Sequence, residues 1–454
     1  IMRWPLWNRY PCILFISVST LSTAKYSQTT RRLFGNLGGT GKRMERPGIP
    51  CLSSRVQAEL QSNTTNEVWS ELVTLAKAPG VVNLGQGFPD YCGSEIARQA
   101  AADATNATHL NQYSLPTGLD SLKEAVCTFY NSQYGSRPGH VSLSTREGHV
   151  SVTAGATEAL QISIQAIAGP GDEVIVFDPC FPWYVPCIRL TGASPVVIEL
   201  EFPDFQPDMA AVAAAITPRT KAIILNSPHN PCGHCYSKEE VERFAQLAQT
   251  HNLVVISDEV YENCVFSGNT HHRIADEPGM FERTLTLCSA SKLFSLTGWR
   301  VGWILGPPAL MQGVNMLHSA TTYCAPTPLQ HGISQALLQE DGQFDGIPAL
   351  IERNAKILGK ALTDVGATVA NVQGGHFLVA DASPLKMTGY EFSKFLLQEA
   401  KVGGLPSFVF YSSADASDKP FIRFALCKKE STIKEAAERI KSVCSVLQNR
   451  NDDA

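Results

Sequence analysis

Between about residue 95 and residue 310 the chain alternates uninterrupted apolar runs with segments of helical periodicity, and this alternation restricts the fold more than any other feature. Residues 173–177, 221–225 and 253–257 each read as a strand in a near-continuous apolar run, and residues 284–288 read as a further strand. A strand of that kind has to be covered on both sides. Residues 156–168 carry apolar positions at helical spacing, and a Gly-Pro-Gly-Asp turn follows at 169–172. Ser237, with Glu240 three residues on, predicts a capping box that opens a helix running to His251. Strands separated by helices predict an α/β fold, a mostly parallel mixed sheet sandwiched by helices. From about residue 336 longer amphipathic helices and short strands predict a smaller α+β part. A chain of 454 residues is too long for one simple core. The expected division is a leader (1–50), an arm contributing to the small domain (51–95), a large domain (96–335) and a small C-terminal domain (336–454).

Ligands of such sheets gather beyond the carboxyl ends of the strands. Three motifs fall there: NSPHNPCG (226–233), DEVY (258–261) and SASK (289–292), the last followed by TGWRVG (297–302). A lysine at a strand end beside hydroxyls is a poor structural choice unless it binds something. An imine-forming lysine needs nearby cations or apolar surroundings, so that its amine is neutral often enough to attack. Arg300 can supply that field and grip a phosphate, to which Ser289 and Ser291 can donate. Asp258 arrives at the same edge, and a carboxylate against a pyridine nitrogen keeps that nitrogen protonated and the ring electron-withdrawing. Tyr261 and Asn230 can both donate to a phenolic oxygen.

Here the sequence resembles a known family. SASKLFSLTGWRVGW (289–303) is similar to the pyridoxal-5′-phosphate (PLP) lysine signature of class I aminotransferases, and the likeness runs from about Trp69 to Arg423. VTAGATEAL (152–160) resembles the turn that receives the cofactor phosphate, at a helix N-terminus suited to an anion. FIRFALCK (421–428) resembles the segment whose arginine clamps a substrate carboxylate, a task suited to the bidentate guanidinium. The resemblance implies PLP on Lys292, with Asp258, Tyr261 and Asn230 around its ring and Phe181 stacked on it. It implies phosphate contacts from Gly155, Ala156, Thr157, Ser289, Ser291 and Arg300. Gly87, Trp69, Asn230 and Arg423 would meet the substrate. Tyr113 would reach the neighbouring subunit's phosphate, which implies a homodimer. The large domain would then be the PLP-binding one.

Within the family, VWSELVTLAKAPGVVNLGQGFPD (68–90) and HHRIADEPGMFERTLTLCSASK (271–292) resemble the group of kynurenine aminotransferases, glutamine transaminases K and cysteine-conjugate β-lyases. Methionine aminotransferases share much of the pattern, and an aspartate-type enzyme is a further alternative. Three features depart from the group: Tyr91-Cys92-Gly93 stands where prolines are usual, Thr157 stands where tyrosine is usual, and Cys324 stands where some members have histidine. The activity implied is amino transfer from an L-amino acid to a 2-oxo acid, with β-lyase side activity.

Net charge is −5, which gives no reason to expect nucleic acid or a membrane as partner. Residues 1–44 hold seven Lys or Arg and no acid, as organelle import leaders do. A secretory signal cut after Ala24 is the rival reading, and initiation at Met44 instead of Met2 would leave a cytoplasmic chain. The apolar stretch 12–18 is too short to span a bilayer. Thirteen cysteines without framework spacing indicate reduced thiols, and the pair Cys232/Cys235 is at most half a zinc site or a weak redox motif. The sequons at Asn63 and Asn106 matter only in a secreted chain. GGTGK (38–42) is no P-loop, because Asn36 and Arg43 occupy positions that need glycine and a hydroxyl. A catalytically silent PLP-fold regulator would carry a DNA-binding module, for which the leader shows no helix-turn-helix pattern. No metal site is expected.

Overall fold

The apolar runs become neighbouring strands because each has two faces to bury. In β3 (Glu173–Asp178) Val174 and Val176 enter one core while Ile175 and Phe177 enter another. In β5 (Thr220–Asn226) Ala222 and Ile224 face the first core, and Ile223 and Leu225 the second. The computed structural model describes residues 52–62, 71–72, 74–339 and 346–447. The expected leader, Trp69 and the sequon at Asn63 lie outside them.

The remaining strands of this sheet are β2 (Val150–Thr153), β4 (Ser194–Glu199), β6 (Val254–Asp258), β7 (Thr284–Ser289) and β8 (Gly302–Leu305). Their order is β2-β8-β7-β6-β5-β3-β4. Only β8 runs against its neighbours, pairing antiparallel with both β2 and β7. Helices Ala156–Ile167 and Pro308–Thr321 supply apolar side chains to one face. Helix Lys238–Thr250 packs on the other, opened by the predicted box of Ser237 and Glu240. The mixed, mostly parallel α/β sheet is the one expected.

A second, antiparallel sheet follows in the order β12-β13-β10-β9, from β9 (Thr368–Val369), β10 (Phe377–Asp381), β12 (Leu405–Pro406) and β13 (Phe421–Ala425). Helices Ile347–Asp364 and Glu430–Ser442 cover it through Ile351, Leu358, Ile433 and Ile440. The early strand β1 (Val82–Asn83) pairs in parallel with β11 (Val402–Gly403). The Ala425 amide donates to the Leu84 carbonyl at 2.6 Å, so the 84–87 segment is laid beside β13. Tyr261, Cys264 and Phe266 share a core with Phe377, Ile422 and Phe424. The described residues from Ser53 onward belong to one compact unit, in which the end of β6 and the start of β10 meet. No described helix is long and apolar enough to cross a membrane.

Candidate active site

Three parallel strands deliver polar groups to a common pocket. β5 runs into the loop bearing Asn230, β6 ends on Asp258, and β7 ends on Ser289, from which helix Ala290–Leu293 presents Ser291 and Lys292. The pocket holds about 250 Å³. Gly87, Ala156, Thr157, Phe181, Asn230, Asp258, Tyr261, Ser289, Ser291, Lys292, Arg300 and Arg423 all line it. Gly155 lies at its rim: a Cβ there would come within 2.4 Å of Arg300 Nη2, and its φ of +86° also favours glycine. Tyr113 does not line the pocket; it is 84% exposed, with its ring edge-on to Tyr323 at 5.5 Å.

The electrostatics are unusual. Lys292, Arg300 and Arg423 converge on the pocket, and none has a carboxylate partner among the described residues. Lys292 Nζ donates only weakly, at 3.3 Å, to the Gly87 carbonyl. Burial, followed by the charges of Arg423 and Arg300, holds its amine below the usual lysine range, against Cys427 and Asp258. Arg423 donates from Nη1 to Asn230 Oδ1 (3.0 Å) and from Nη2 to the Gly85 carbonyl (2.9 Å), and lies between the rings of Phe377 and Phe410. Its Nε has no partner, and neither has Ser291 Oγ, although both are buried. Arg300 is exposed, but the buried Arg423 and the orphaned donors around the hollow are costly unless an anion completes them.

Asp258 is the one anion lining the pocket. Burial pushes it up to about 6, although the Tyr184 phenol donates to its Oδ2 at 2.6 Å and the Val260 amide to its Oδ1 at 3.3 Å. Burial also raises the Tyr261 phenol, which therefore stays a donor at neutral pH. The site thus offers a depressed amine, a buried carboxylate opposite it, neutral donors, and two arginines at separate positions. Such a set fits a group that carries both a phosphate and a basic ring.

Several contributors were not legible beforehand. Asn226 joins two of the strand-end loops, accepting from the Asn230 amide (2.8 Å) and donating to the Asp258 carbonyl (2.9 Å). Phe377, Leu160, Val260 and Thr297 complete the lining. Phe88 and Tyr323, two aromatics outside this set, are exposed and do not line the pocket. Cys232 and Cys235 are both buried, and burial raises both thiols, which gives the redox reading no support. Glu259, Glu262 and His271 bring possible ligand atoms within 4.8 Å of one another. Protein donors already hold those carboxylates: Arg273 and Ser257 bond Glu259 at 3.0 and 2.9 Å, and Tyr130 bonds Glu262.

Against known proteins, residues 79–440 match the family model for aminotransferase class I and II, and the chain belongs to that family. It is a PLP-dependent aminotransferase that uses amino acid and 2-oxo acid substrates, as the family does. It is 34% identical to kynurenine–oxoglutarate transaminase 1 of Rattus norvegicus over 86% of this chain and 98% of that protein. Among solved structures, N-succinyldiaminopimelate aminotransferase from Mycobacterium tuberculosis superimposes with a TM-score of 0.80 at 35% identity, covering 87% of this chain and all of that one (100%). A methionine aminotransferase from Escherichia coli gives a TM-score of 0.80 at 33% identity with the same coverage, 87% and 100%.

Proposed function

We propose that the enzyme takes its amino group from a neutral L-amino acid, aromatic, kynurenine, glutamine or methionine-like, and passes it to a 2-oxo acid in a ping-pong cycle. The observation that carries this reading is the arrangement of the pocket's charges. Arg300 beside Gly155 suits a phosphate and Arg423 suits an α-carboxylate, which leaves no described lining cation for a distal carboxylate. Phe181, Tyr261, Phe377 and Leu160 make the remaining wall largely apolar.

When bound, the cofactor supplies an aldehyde for the amino group and an electron-withdrawing pyridinium ring. Lys292 would hold it; once released, its amine moves a proton from the substrate's Cα as general base and then acid. Asp258 would face the ring nitrogen, and Tyr261 would donate to the phenolic oxygen. Asn230 has its Oδ1 engaged by Arg423, which leaves its NH₂ free to donate alongside Tyr261. Phe181 would stack on the ring. Ser289, Ser291, Arg300 and the Gly155–Ala156–Thr157 backbone would hold the phosphate. Arg423 clamps the substrate carboxylate near Gly87, and Trp69 is assigned to the substrate side by resemblance alone. A substrate with a good leaving group on Cβ can lose it after Lys292 removes the Cα proton, which is the basis for β-lyase side activity.

The test is the visible spectrum of the loaded protein on addition of L-glutamine, L-methionine, L-kynurenine and L-aspartate in turn. Bleaching by one of the first three supports the reading; bleaching by aspartate alone replaces it with an acidic donor.

The Asp258 assignment predicts a pH effect on cofactor uptake. Without cofactor Asp258 keeps its proton below about pH 6. Pairing with a pyridinium requires the charged form, so on the acid side binding must expel that proton. Affinity should fall as pH drops below about 6, by up to about tenfold per pH unit. Titrating cofactor-free protein with PLP between about pH 5 and 8 measures this, and a flat profile would refute the pairing.

Tyr113, so exposed in one chain, is assigned to a homodimer partner's phosphate. Tyr113→Phe and Lys292→Ala chains, each impaired alone, should regain one complete site when mixed as hybrid dimers. Hybrids no more active than the parents would place Tyr113 elsewhere. Residues 1–44 are assigned to organelle, most simply mitochondrial, import. A reporter bearing them that stays in the cytoplasm would reject that assignment.

A further inference from the structure

We propose that Tyr184 is a positioning residue for Asp258, fixing the orientation and charge of the carboxylate toward the ring nitrogen of bound PLP. The inference rests on the role assigned to Asp258 above. Tyr184 opens helix Tyr184–Thr191, whose next four residues, Val185 to Ile188, are buried and apolar. Its phenol is fully enclosed and donates to Asp258 Oδ2 at 2.6 Å, the short separation of an O–H bonded to a carboxylate. The other oxygen, Oδ1, receives only the Val260 amide at 3.3 Å, so most of its accepting capacity remains for the pocket. The Tyr184 ring also packs edge-on against Phe181, with centroids 5.7 Å apart. One short segment therefore supports both the proposed stacking ring and the proposed ring-nitrogen partner.

The direction of the effect follows from burial. Desolvation favours the neutral form of Asp258, and the Tyr184 hydrogen bond opposes it. Phenylalanine would fill the same space and remove the donor, leaving a buried oxygen unsatisfied. The carboxylate would then hold a proton more readily, and the ring nitrogen less. Tyr184 does not act as the acid itself, because burial and the adjacent carboxylate raise its own ionisation far above neutrality.

The experiment uses the full-length holoenzyme loaded with PLP labelled with ¹⁵N in the ring. The ring-nitrogen chemical shift reports protonation, and a parallel titration reports cofactor affinity. Tyr184→Phe should move the resonance from the pyridinium toward the neutral pyridine position and weaken PLP binding about tenfold. With 4-aminophenylalanine in place of Tyr184, which restores an N–H donor of the same shape, the resonance should return. Asp258→Asn serves as the reference. If it shifts the resonance while Tyr184→Phe matches wild type in both shift and affinity, Tyr184 has no such role. If Asp258→Asn also leaves the resonance unmoved, the Asp258 assignment and this inference fall together. A Tyr184→Phe protein that only loses thermal stability, with a wild-type resonance, would show a purely structural role. Should the Phe variant not fold, the 4-aminophenylalanine protein decides alone, since a neutral-pyridine resonance with that donor present overturns the proposal.

Discussion

Lys292→Ala should lose both half-reactions, by at least about 10⁴-fold in single-turnover rate, while its fold remains intact. Lys292 is the only amine among the residues lining the pocket. It is therefore the only candidate there both to hold the cofactor covalently and to move the Cα proton. General acid–base transfer alone contributes about 10²–10⁴-fold, and the loss of covalent attachment adds to that. The stability change should be small or favourable. Lys292 has no carboxylate partner among the described residues, and Arg300 and Arg423 both press against its charge. Removing it relieves repulsion from the two arginines while losing its attraction to Asp258, with which it makes no ion pair, a trade of stability for activity often found at active sites. Rapid mixing of the loaded variant with an active donor measures the first effect, and thermal unfolding the second. Turnover at the wild-type rate would sink the assignment.

The same repulsion explains why so much of the site could be read from the chain. A fold does not gather three unpaired cations for stability, so the motifs at the ends of β5, β6 and β7 stood out as chemistry. The strands themselves were legible because both faces are buried: Val174, Ile175, Val176 and Phe177 need no polar partner, and the run reads as continuous. What stayed hidden was non-local. Nothing in Gly302–Leu305 distinguishes the reversed strand from its parallel neighbours. The pairing of Val82–Asn83 with Val402–Gly403 joins two-residue strands that carry no pattern of their own. Tyr184 reads as an ordinary tyrosine on an apolar helix; its one signal was a hydroxyl among residues otherwise fit for a core. Phe377 looked like any strand phenylalanine, yet its ring lies 3.8 Å from the Arg423 guanidinium carbon. The role proposed for Tyr113 would need a second chain, which one sequence expresses only through resemblance.

Arg423→Lys should leave the cofactor's visible band in place and reduce kcat/KM for the amino donor by about 10²–10³-fold, mainly through KM. The guanidinium is oriented before any substrate arrives. Nη1 and Nη2 are tied to Asn230 and Gly85, and the rings of Phe377 and Phe410 sandwich its plane. A carboxylate then meets a fixed fork whose buried Nε still lacks a partner. Lysine keeps the charge but loses the fork, the stacking and at least one of the two tethers. Losing one side of a buried, hydrogen-bonded charge pair costs about 2–5 kcal/mol, which at 1.36 kcal/mol per tenfold is about 30- to 5,000-fold; because lysine keeps the charge, the loss falls within that span and short of its upper end. Because the ties to Asn230 also break, a modest shift in the band would be tolerable, whereas loss of cofactor would not. Steady-state kinetics with an amino acid and with the corresponding amine, which lacks the carboxylate, separate the cases. The variant should be specifically poor with the acid and almost unchanged with the amine. Equal losses on both would mean that Arg423 supports the pocket without gripping the substrate.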